Sequence, residues 1–225
     1  MTKFNKIIRK KTEKQLIVEF IRLFKSYIVK KEKLNQKFSF VLTGGSSPKN
    51  LYKSLSKSKI NWKNIYLFWG DERFVSKRST NSNFRLVKKN LLDKIDISKK
   101  NIFYIDTKKI DSYTSAKNYE NKIKRFFKNK KVSFDLILLG MGSDGHIASL
   151  FPDNLDLKTN KITSPVLRKD FQRITLNLNV INKAKKIFLW LNTKTKSNTY
   201  RKLKNNKKLP VNYINKDKTN LFLIN

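Results

Sequence analysis

The sequence predicts an α/β fold, a three-layer α/β/α sandwich built around a mostly parallel, Rossmann-like sheet. Short apolar runs alternate along the chain with longer segments whose apolar residues recur every three or four positions. Such alternation is typical of parallel strands connected by helices that cover both faces of the sheet. No segment rich in Pro, Gly and Ser interrupts the pattern and no internal repeat is present, so we expect residues 1–225 to form a single domain.

The predicted helices combine apolar residues at helical spacing with a charged opposite face. They cover residues 10–33, 49–55, 83–92, 112–128 and 194–203. In the first of them the apolar positions run from Leu16 to Ile28. The second follows Ser47 and Pro48, residue types that favour a helix cap and a first helical turn.

The predicted strands are short and lie between these helices. They cover residues 37–42, 65–69, 101–105, 134–139, 161–167, 173–178, 186–191 and 221–224. Most are continuous apolar runs, which is the pattern of strands buried on both faces. The segments 161–167 and 173–178 have a period of two instead, which is typical of half-buried strands.

The composition suits a globular protein without cysteine chemistry. Hydrophobic residues make up 39% of the 225 residues and aromatic residues 12%, which is enough for a sizeable core. The absence of cysteine excludes disulfides, thiolate metal ligands and a cysteine nucleophile, and it fits a reducing compartment. No apolar run approaches the ~18 residues of a membrane helix. The basic N-terminal segment lacks the apolar core of a secretory signal, and Glu13 and Glu19 argue against a transit segment. We therefore expect a cytoplasmic protein with no membrane partner.

The formal net charge of +36 raises the alternative of a nucleic-acid partner, because clustered Lys and Arg release counterions from phosphates. The basic residues are scattered along the whole chain, however, and form no single basic arm. Zinc-finger and aromatic RNA-binding motifs are absent. We favour compositional drift and expect no specific nucleic-acid partner, although a positive surface would still attract an anionic substrate.

Three turns stand out because each directly follows a predicted strand. They are Thr43–Ser46, Asp71–Arg73 and Gly140–His146. The carboxyl ends of parallel strands lie at the same edge of a sheet, where α/β proteins gather their binding sites. We therefore expect the three turns to meet in one cleft.

The first turn has the residues of a phosphate cradle. Gly44 and Gly45 expose backbone N–H groups, Thr43 and Ser46 add hydroxyl groups, and a helix N-terminus follows. The spacing is not that of a Walker A loop, and an ordinary strand–helix turn is the alternative interpretation.

The second turn places two carboxylates and a guanidinium at the end of an apolar strand. Asp71, Glu72 and Arg73 come directly after the run 65–69 and Gly70. A helix cap or a surface ion pair is the structural alternative. Charged residues directly after such a strand point toward a functional role.

The third turn leads into His146, the only histidine of the chain. An unperturbed imidazole titrates near pH ~6.5, so it can take and return a proton at neutral pH. The segment 140–145 matches the dinucleotide pattern G-x-G-x-x-G, but Pro152 excludes the long helix that this pattern requires. Ser143 does not fit a nucleophile elbow, because Met141 stands where a glycine is needed. With one histidine and no cysteine, we expect no metal and no cofactor.

At these three turns together the sequence resembles the 6-phosphogluconolactonase family. The matching segments are Thr43–Pro48, Trp69–Val75, Ser82–Phe84 and Leu139–Pro152. Gln172–Leu176 followed by Val180–Ala184 is similar to the family's arginine–strand–helix segment. Thr193 stands where the family usually has the glycine of a Gly-x-x-Lys motif, which ends here at Lys196. The resemblance covers residues 10–225.

The resemblance implies hydrolysis of 6-phospho-D-glucono-1,5-lactone to 6-phospho-D-gluconate, the second step of the oxidative pentose phosphate pathway. His146 is then the general base that deprotonates water and returns the proton to the ring oxygen. Asp144 or Asp71 orients the imidazole or the water, and the sequence does not rank them. Backbone N–H groups of the glycine turns stabilise the oxyanion. The expected phosphate ligands are Thr43, Gly44, Gly45, Ser46, Arg73, Arg173 and Lys196.

The nearest alternative is a glucosamine-6-phosphate deaminase, since that related class shares the glycine loop and the Asp-Gly-His segment. Those enzymes carry a glutamate that supports ring opening where this chain has Phe151. They also have Asp-Glu-Tyr where this chain has Asp71, Glu72 and Arg73. Both differences favour the lactonase. A basic nucleic-acid-binding protein is the remaining alternative, and the oligomeric state, monomer or homodimer, stays open.

Overall fold

The computed structural model describes residues 4–192, 206 and 208–224. Its strands are β1 (Lys6–Lys10), β2 (Phe38–Leu42), β3 (Ile65–Trp69), β4 (Asp71–Arg73), β5 (Ile102–Phe103), β6 (Leu136–Gly140), β7 (Thr163–Val166), β8 (Arg173–Leu176), β9 (Lys186–Asn192) and β10 (Thr219–Ile224). Its α-helices are α1 (Glu13–Glu32), α2 (Lys49–Ser56), α3 (Asn83–Asn90), α4 (Ser112–Phe126) and α5 (Leu178–Lys183).

A parallel sheet of seven strands in the order β1-β10-β9-β6-β2-β3-β5 forms the middle layer. On one face, Phe24 of α1 packs against Phe40 of β2. Phe126 of α4 packs against Phe68 of β3. Because Phe68 pairs with Val41 rather than with Phe40, these two contacts lie on opposite faces of the sheet. The predicted three-layer sandwich with a mostly parallel sheet is confirmed.

A second sheet is antiparallel and has the order β4-β8-β7. Gly70 connects the two sheets, since its N–H donates to the carbonyl of Leu42 and its carbonyl accepts from the N–H of Leu176. The predicted strands 161–167 and 173–178 are found here as β7 and β8. The sequence predicted only a turn at 71–73, because a three-residue charged strand shows its pairing only in the tertiary structure.

The described residues differ from the sequence prediction mainly at the ends of elements. Strand β1 was not predicted, because it is an exposed edge strand in which only Ile8 is buried. Helix α1 begins at Glu13 after the capping hydroxyl of Thr12, and β5 has two residues instead of five. The helix predicted over 194–203 lies outside the described residues. A single domain over 1–225 stays a prediction.

Two buried tyrosines fix the ends of β2 and β3, where two of the predicted turns begin. Tyr52 of α2 donates to the carbonyl of Thr43 at 2.6 Å and accepts from its N–H at 3.0 Å. Tyr119 of α4 binds both backbone groups of Trp69 in the same way, at 2.9 and 2.8 Å. Each helix thereby holds the carboxyl end of a strand in register with the turn that follows.

Candidate active site

The three predicted turns enclose one cavity of about 170 Å³ at the carboxyl edge of the main sheet. It is lined by Thr43, Gly44, Gly45, Ser46, Ser47, Asp71, Arg73, Asn83, Gly140, Met141, Gly142, His146, Ala148 and Arg173. All predicted site residues except two therefore line this space. Asp144 lies beside His146, and Lys196 lies outside the described residues.

His146 and Asp144 form a close pair within the third turn. Nδ1 of His146 lies 2.6 Å from Oδ1 of Asp144, and the same oxygen accepts from the His146 backbone N–H at 3.2 Å. Burial raises the pKa of Asp144, but the charge of His146 and its hydrogen bonds outweigh burial, so the pKa is lowered on balance. An ionised carboxylate at Nδ1 favours the tautomer whose free lone pair is on Nε2.

Gly142 makes room for the imidazole. A Cβ atom at this position would lie 2.2 Å from both Nδ1 and Cε1 of His146. The Gly142 N–H donates to the carbonyl of His146 at 2.9 Å, which closes the turn around the ring. Any side chain at residue 142 would force the imidazole to move.

Asp71 lines the cavity, but its side-chain hydrogen bonds to described residues hold it in place rather than reaching the imidazole. Its Oδ2 accepts from the hydroxyl of Ser149 at 2.7 Å, and its Oδ1 accepts from Nδ2 of Asn83 at 3.2 Å. Asp71 is 6% exposed. Of the two carboxyl groups that the sequence left open, Asp144 contacts His146, whereas Asp71 is buried in the cavity wall.

Arg73 and Arg173 face each other across the antiparallel pair of β4 and β8. Arg73 donates to the carbonyl of Asn81 at 2.8 Å, and Arg173 is paired with Asp170. The Nε atoms of both arginines are buried and have no hydrogen-bond partner among the described residues. Like charges directly opposite each other are unfavourable in a sheet. An anion between the two guanidinium groups would relieve this repulsion.

Glu72 sets the direction of the second turn by capping α3. Its carboxylate accepts from the backbone N–H groups of Arg73, Asn83 and Phe84 at 2.7–2.8 Å and from the hydroxyl of Ser82 at 3.0 Å. Burial raises the pKa of Glu72 to about 7 in spite of these four donors. The helix cap that the sequence offered as a structural alternative therefore applies to Glu72, while its two neighbours line the cavity.

Asn83 is a cavity residue to which the sequence assigned no role. Its Nδ2 donates to the Asp71 carbonyl at 2.9 Å, and its Oδ1 occupies the space where a Cβ of Gly44 would lie, at 1.8 Å. Asn83 thus connects the first turn to the second. The match of Ser82–Phe84 to the family was the available signal. Ser47 and Ala148 also line the cavity, although they lie outside the three predicted turns.

The first turn presents unused donors to the cavity. The backbone N–H of Thr43 is bound by Tyr52, whereas no described hydrogen bond uses the N–H of Gly44 or of Gly45. Gly45 has φ +81°, a conformation that favours glycine. These two N–H groups are available to an anionic oxygen.

The part of the chain that the structure describes contains no group of three or more metal-binding side chains. None of the described helices has the length and apolar character needed to cross a membrane.

Similarity to known proteins agrees with this geometry. The family model described as glucosamine-6-phosphate isomerases/6-phosphogluconolactonase matches residues 11–223. A 6-phosphogluconolactonase of Synechocystis sp. is 40% identical over 153 residues, which cover 66% of this chain and 64% of that protein. The chain thus spans just under two thirds of the length of this relative. A 6-phosphogluconolactonase of Thermotoga maritima is 32% identical over 213 residues, which are 92% of each chain.

Solved structures share the fold along the whole chain. The crystal structure of 6-phosphogluconolactonase from Thermotoga maritima matches with a TM-score of 0.83 and 25% identity, over 97% of this chain and 99% of the other. The 6-phosphogluconolactonase from Trypanosoma cruzi matches with a TM-score of 0.87 and 26% identity, over 100% and 96%. A monomeric glucosamine-6-phosphate deaminase reaches a TM-score of 0.82 at 19% identity, which shows the fold alone. From the family model and the relatives, this chain belongs to the glucosamine-6-phosphate isomerase/6-phosphogluconolactonase family.

Proposed function

We propose that this chain hydrolyses 6-phospho-D-glucono-1,5-lactone to 6-phospho-D-gluconate. The observation that carries the proposal is a lone imidazole, paired with a carboxylate, in a cavity whose wall also holds two facing arginines. The imidazole suits ester hydrolysis by water, and the arginines suit a phosphate group. The family membership supports the same substrate class.

In the proposed reaction, Nε2 of His146 takes a proton from a water molecule while Nδ1–H donates to Asp144. The water oxygen forms a bond with the lactone carbonyl carbon, and the carbonyl oxygen becomes an oxyanion. When the bond from this carbon to the ring oxygen breaks, the imidazolium gives its proton to the ring oxygen. The products are the open-chain hydroxyl and the carboxylic acid, and the reaction consumes one water molecule without a cofactor.

The phosphate group is proposed to bind between Arg73 and Arg173. Both arginines line the cavity, and a guanidinium offers forked hydrogen bonds to phosphate oxygens. The free N–H groups of Gly44 and Gly45, with the hydroxyls of Thr43 and Ser46, complete this binding site or hold the oxyanion. Lys196 stays a predicted phosphate ligand on the basis of the family resemblance.

Phe151 distinguishes the lactonase from the deaminase alternative at the same site. Its ring centre lies 4.4 Å from that of His146, and a phenyl ring can neither donate nor accept the proton that ring opening of an amino sugar requires. We also propose a cytoplasmic location, since a phosphorylated sugar is charged and does not cross membranes unaided. The positive charge of the chain is proposed to attract this anionic substrate rather than a nucleic acid.

The test is acid production from freshly prepared lactone at constant pH, with and without the protein, because the lactone also opens without a catalyst. We expect a rate well above the uncatalysed one, and no release of ammonia from glucosamine 6-phosphate. A rate equal to the background would overturn the proposal. Ammonia release would assign the chain to the deaminases.

A further inference from the structure

We propose that Phe151 and Arg168 are positioning residues for His146. The ring of Phe151 lies against the imidazole, and the guanidinium of Arg168 lies over the same phenyl ring. This pair would fix the plane of the imidazole relative to the cavity. The kinetic consequence rests on the proposed function, whereas the contact between the tilted rings does not.

The contact between Phe151 and His146 is close and directional. Their ring centres are 4.4 Å apart with an angle of 45° between the ring planes. The hydrogen bond to Asp144 holds the Nδ1 edge of the imidazole but leaves the ring free to tilt about that bond. Besides Gly142, which lies close to Nδ1 and Cε1, Phe151 supplies a contact with the ring that restricts this tilt.

The groups that surround the buried side chain of Phe151 are unusual for a phenylalanine. It is 5% exposed, yet it is not part of the main apolar cluster of the described residues. Besides the imidazole, its ring has the guanidinium carbons of Arg168 at 4.0 Å and of Arg173 at 5.4 Å from its centre. A cation over an aromatic face is favourable, more so where water is excluded. The surroundings thus suit a stack of rings and cations better than a general packing role.

Arg168 is itself held in place. Its Nη1 donates to both carboxylate oxygens of Asp153, at 2.9 and 2.8 Å. The side chain of Arg168 is 30% exposed, whereas that of Asp153 is 68% exposed, so the carboxylate anchors the guanidinium from the solvent side. The guanidinium is therefore confined between a carboxylate and the phenyl ring.

Two hydrogen bonds between Phe151 and Asn154 also hold the backbone around Phe151. The N–H of Phe151 donates to Oδ1 of Asn154 at 2.8 Å, and the N–H of Asn154 donates back to the Phe151 carbonyl at 3.2 Å. Just before it, Ile147 and Leu150 form an isolated antiparallel bridge. The rings of His146 and Phe151 therefore lie on the same short loop, residues 146–154, whose backbone is held by these contacts.

The chain offers a direct probe of this stack, because His146 is its only histidine. In protein freed of any tag, the imidazole proton and nitrogen resonances report on one residue without ambiguity. We expect the Phe151→Leu variant to shift these resonances, since the ring current of Phe151 is lost, and the Phe151→Tyr variant to restore values near those of the wild type. The Arg168→Gln variant should broaden or shift the same signals, with partial recovery in Arg168→Lys. Unchanged imidazole signals in Phe151→Leu would overturn the proposal.

Kinetics separate positioning from a merely structural role. We expect Phe151→Leu to lower kcat by about 10- to 100-fold, the usual cost of a misplaced reacting group, with little change in KM. Phe151→Tyr should restore most of kcat. A matched control is Phe24→Leu in the apolar core, which should lower Tm while kcat and the imidazole signals stay at wild-type values. If kcat of Phe151→Leu equals that of the wild type, Phe151 is not a positioning residue. If the wild type itself has no lactonase activity, the proposed function fails, and the resonance comparison still decides whether the stack exists.

Discussion

The imidazole of His146 is bound by Asp144 through the shortest of its contacts, a distance of 2.6 Å between Nδ1 and Oδ1. The two residues are separated by Gly145 alone, and the Val211 N–H contacts this turn by donating to the Gly145 carbonyl at 3.2 Å. Gly145 has φ +85°, which a residue with a side chain rarely adopts. The short separation made Asp144 one of two candidate partners in the sequence, and the distance between Nδ1 and Oδ1 shows that Asp144 is the one that contacts the imidazole.

Removal of the imidazole is expected to abolish most of the activity. We expect His146→Ala to lower the lactonase kcat by roughly 10²–10⁴-fold, because it removes the proposed proton acceptor. Circular dichroism should show an intact fold, since the side chain faces a cavity. Steady-state rates with fresh lactone, corrected for the uncatalysed reaction, provide the measurement. Turnover at the wild-type rate would contradict the proposed mechanism.

Neutralising the carboxylate should have a smaller effect of the same kind. In Asp144→Asn the side chain can still accept a hydrogen bond from Nδ1–H, but the charge that stabilises the imidazolium is lost. We expect kcat to fall by about 10- to 10³-fold with little change in KM. Asp71→Asn serves as the comparison, because Asp71 binds Ser149 and Asn83 instead of the imidazole. A larger loss of kcat in Asp71→Asn than in Asp144→Asn would reverse the ranking of the two carboxylates.

The meeting of the Thr43 turn with the His146 turn could be predicted from the sequence, because both follow apolar strands whose carboxyl ends share one edge of the sheet. The facing of Arg73 and Arg173 could not, since it depends on the antiparallel pairing of two short strands far apart in the chain. The stacking of Phe151 on His146 was also beyond the sequence. A phenylalanine in an apolar segment is normally a core residue, and its partners here are fixed by a turn of irregular backbone.

A methyl group at residue 142 should displace the imidazole without unfolding the protein. The Cβ atom of Gly142→Ala would lie 2.2 Å from the ring of His146, so the ring must leave its place beside Asp144. We expect kcat to fall by about 10²-fold, as for other displacements of a reacting group by about 1 Å. Gly140→Ala adds a methyl group to the same cavity wall without a close approach, since its Cβ would come no nearer than 3.9 Å to another atom, so we expect a smaller loss of kcat. A kcat of Gly142→Ala equal to that of the wild type would show that the close approach at residue 142 has no consequence.

The far end of the main sheet carries an ion-paired carboxylate that predicts how stability depends on pH. Asp135 accepts from Nζ of Lys185 at 2.8 Å and from the backbone and side chain of Ser39, and it pairs with Lys31 at 3.0 Å. Burial raises the pKa of Asp135, but these donors outweigh it, so the pKa is lowered on balance. Because the folded-state pKa lies below the unfolded one, the stabilisation is present above about pH 4 and is lost as the pH falls through the folded-state value.

We expect Asp135→Asn to lower the free energy of unfolding at pH 7 by about 1–3 kcal/mol. The amide carries no negative charge to pair with Lys31 and Lys185, and its NH2 group cannot accept a hydrogen bond from their ammonium groups. The difference from the wild type should be smaller at pH 3 than at pH 7, because as the pH falls the carboxyl group takes up its proton in the unfolded chain before it does so in the folded protein. Urea denaturation at the two pH values measures both numbers. The lactonase kcat should stay at the wild-type value, since Asp135 precedes β6 at the end away from the cavity. A difference that is the same at both pH values would show that the charge of Asp135 is irrelevant to stability.

The two tyrosines that bind strand ends offer a matched comparison between stability and substrate binding. Tyr52→Phe removes both hydrogen bonds to Thr43, and Tyr119→Phe removes the equivalent pair at Trp69. Each variant leaves a buried backbone N–H and a carbonyl without a partner, so we expect each to lose about 1–3 kcal/mol of stability. Thr43, the residue that Tyr52 binds, itself begins the glycine turn of the proposed site, whereas Trp69 is separated from Arg73 by Gly70, Asp71 and Glu72. Tyr52→Phe should therefore raise KM for the phosphorylated lactone severalfold, and Tyr119→Phe should raise it less. Thermal unfolding and initial rates on both proteins decide the matter, and an equal rise of KM in the two variants would mean that KM follows global stability rather than the position of the first turn.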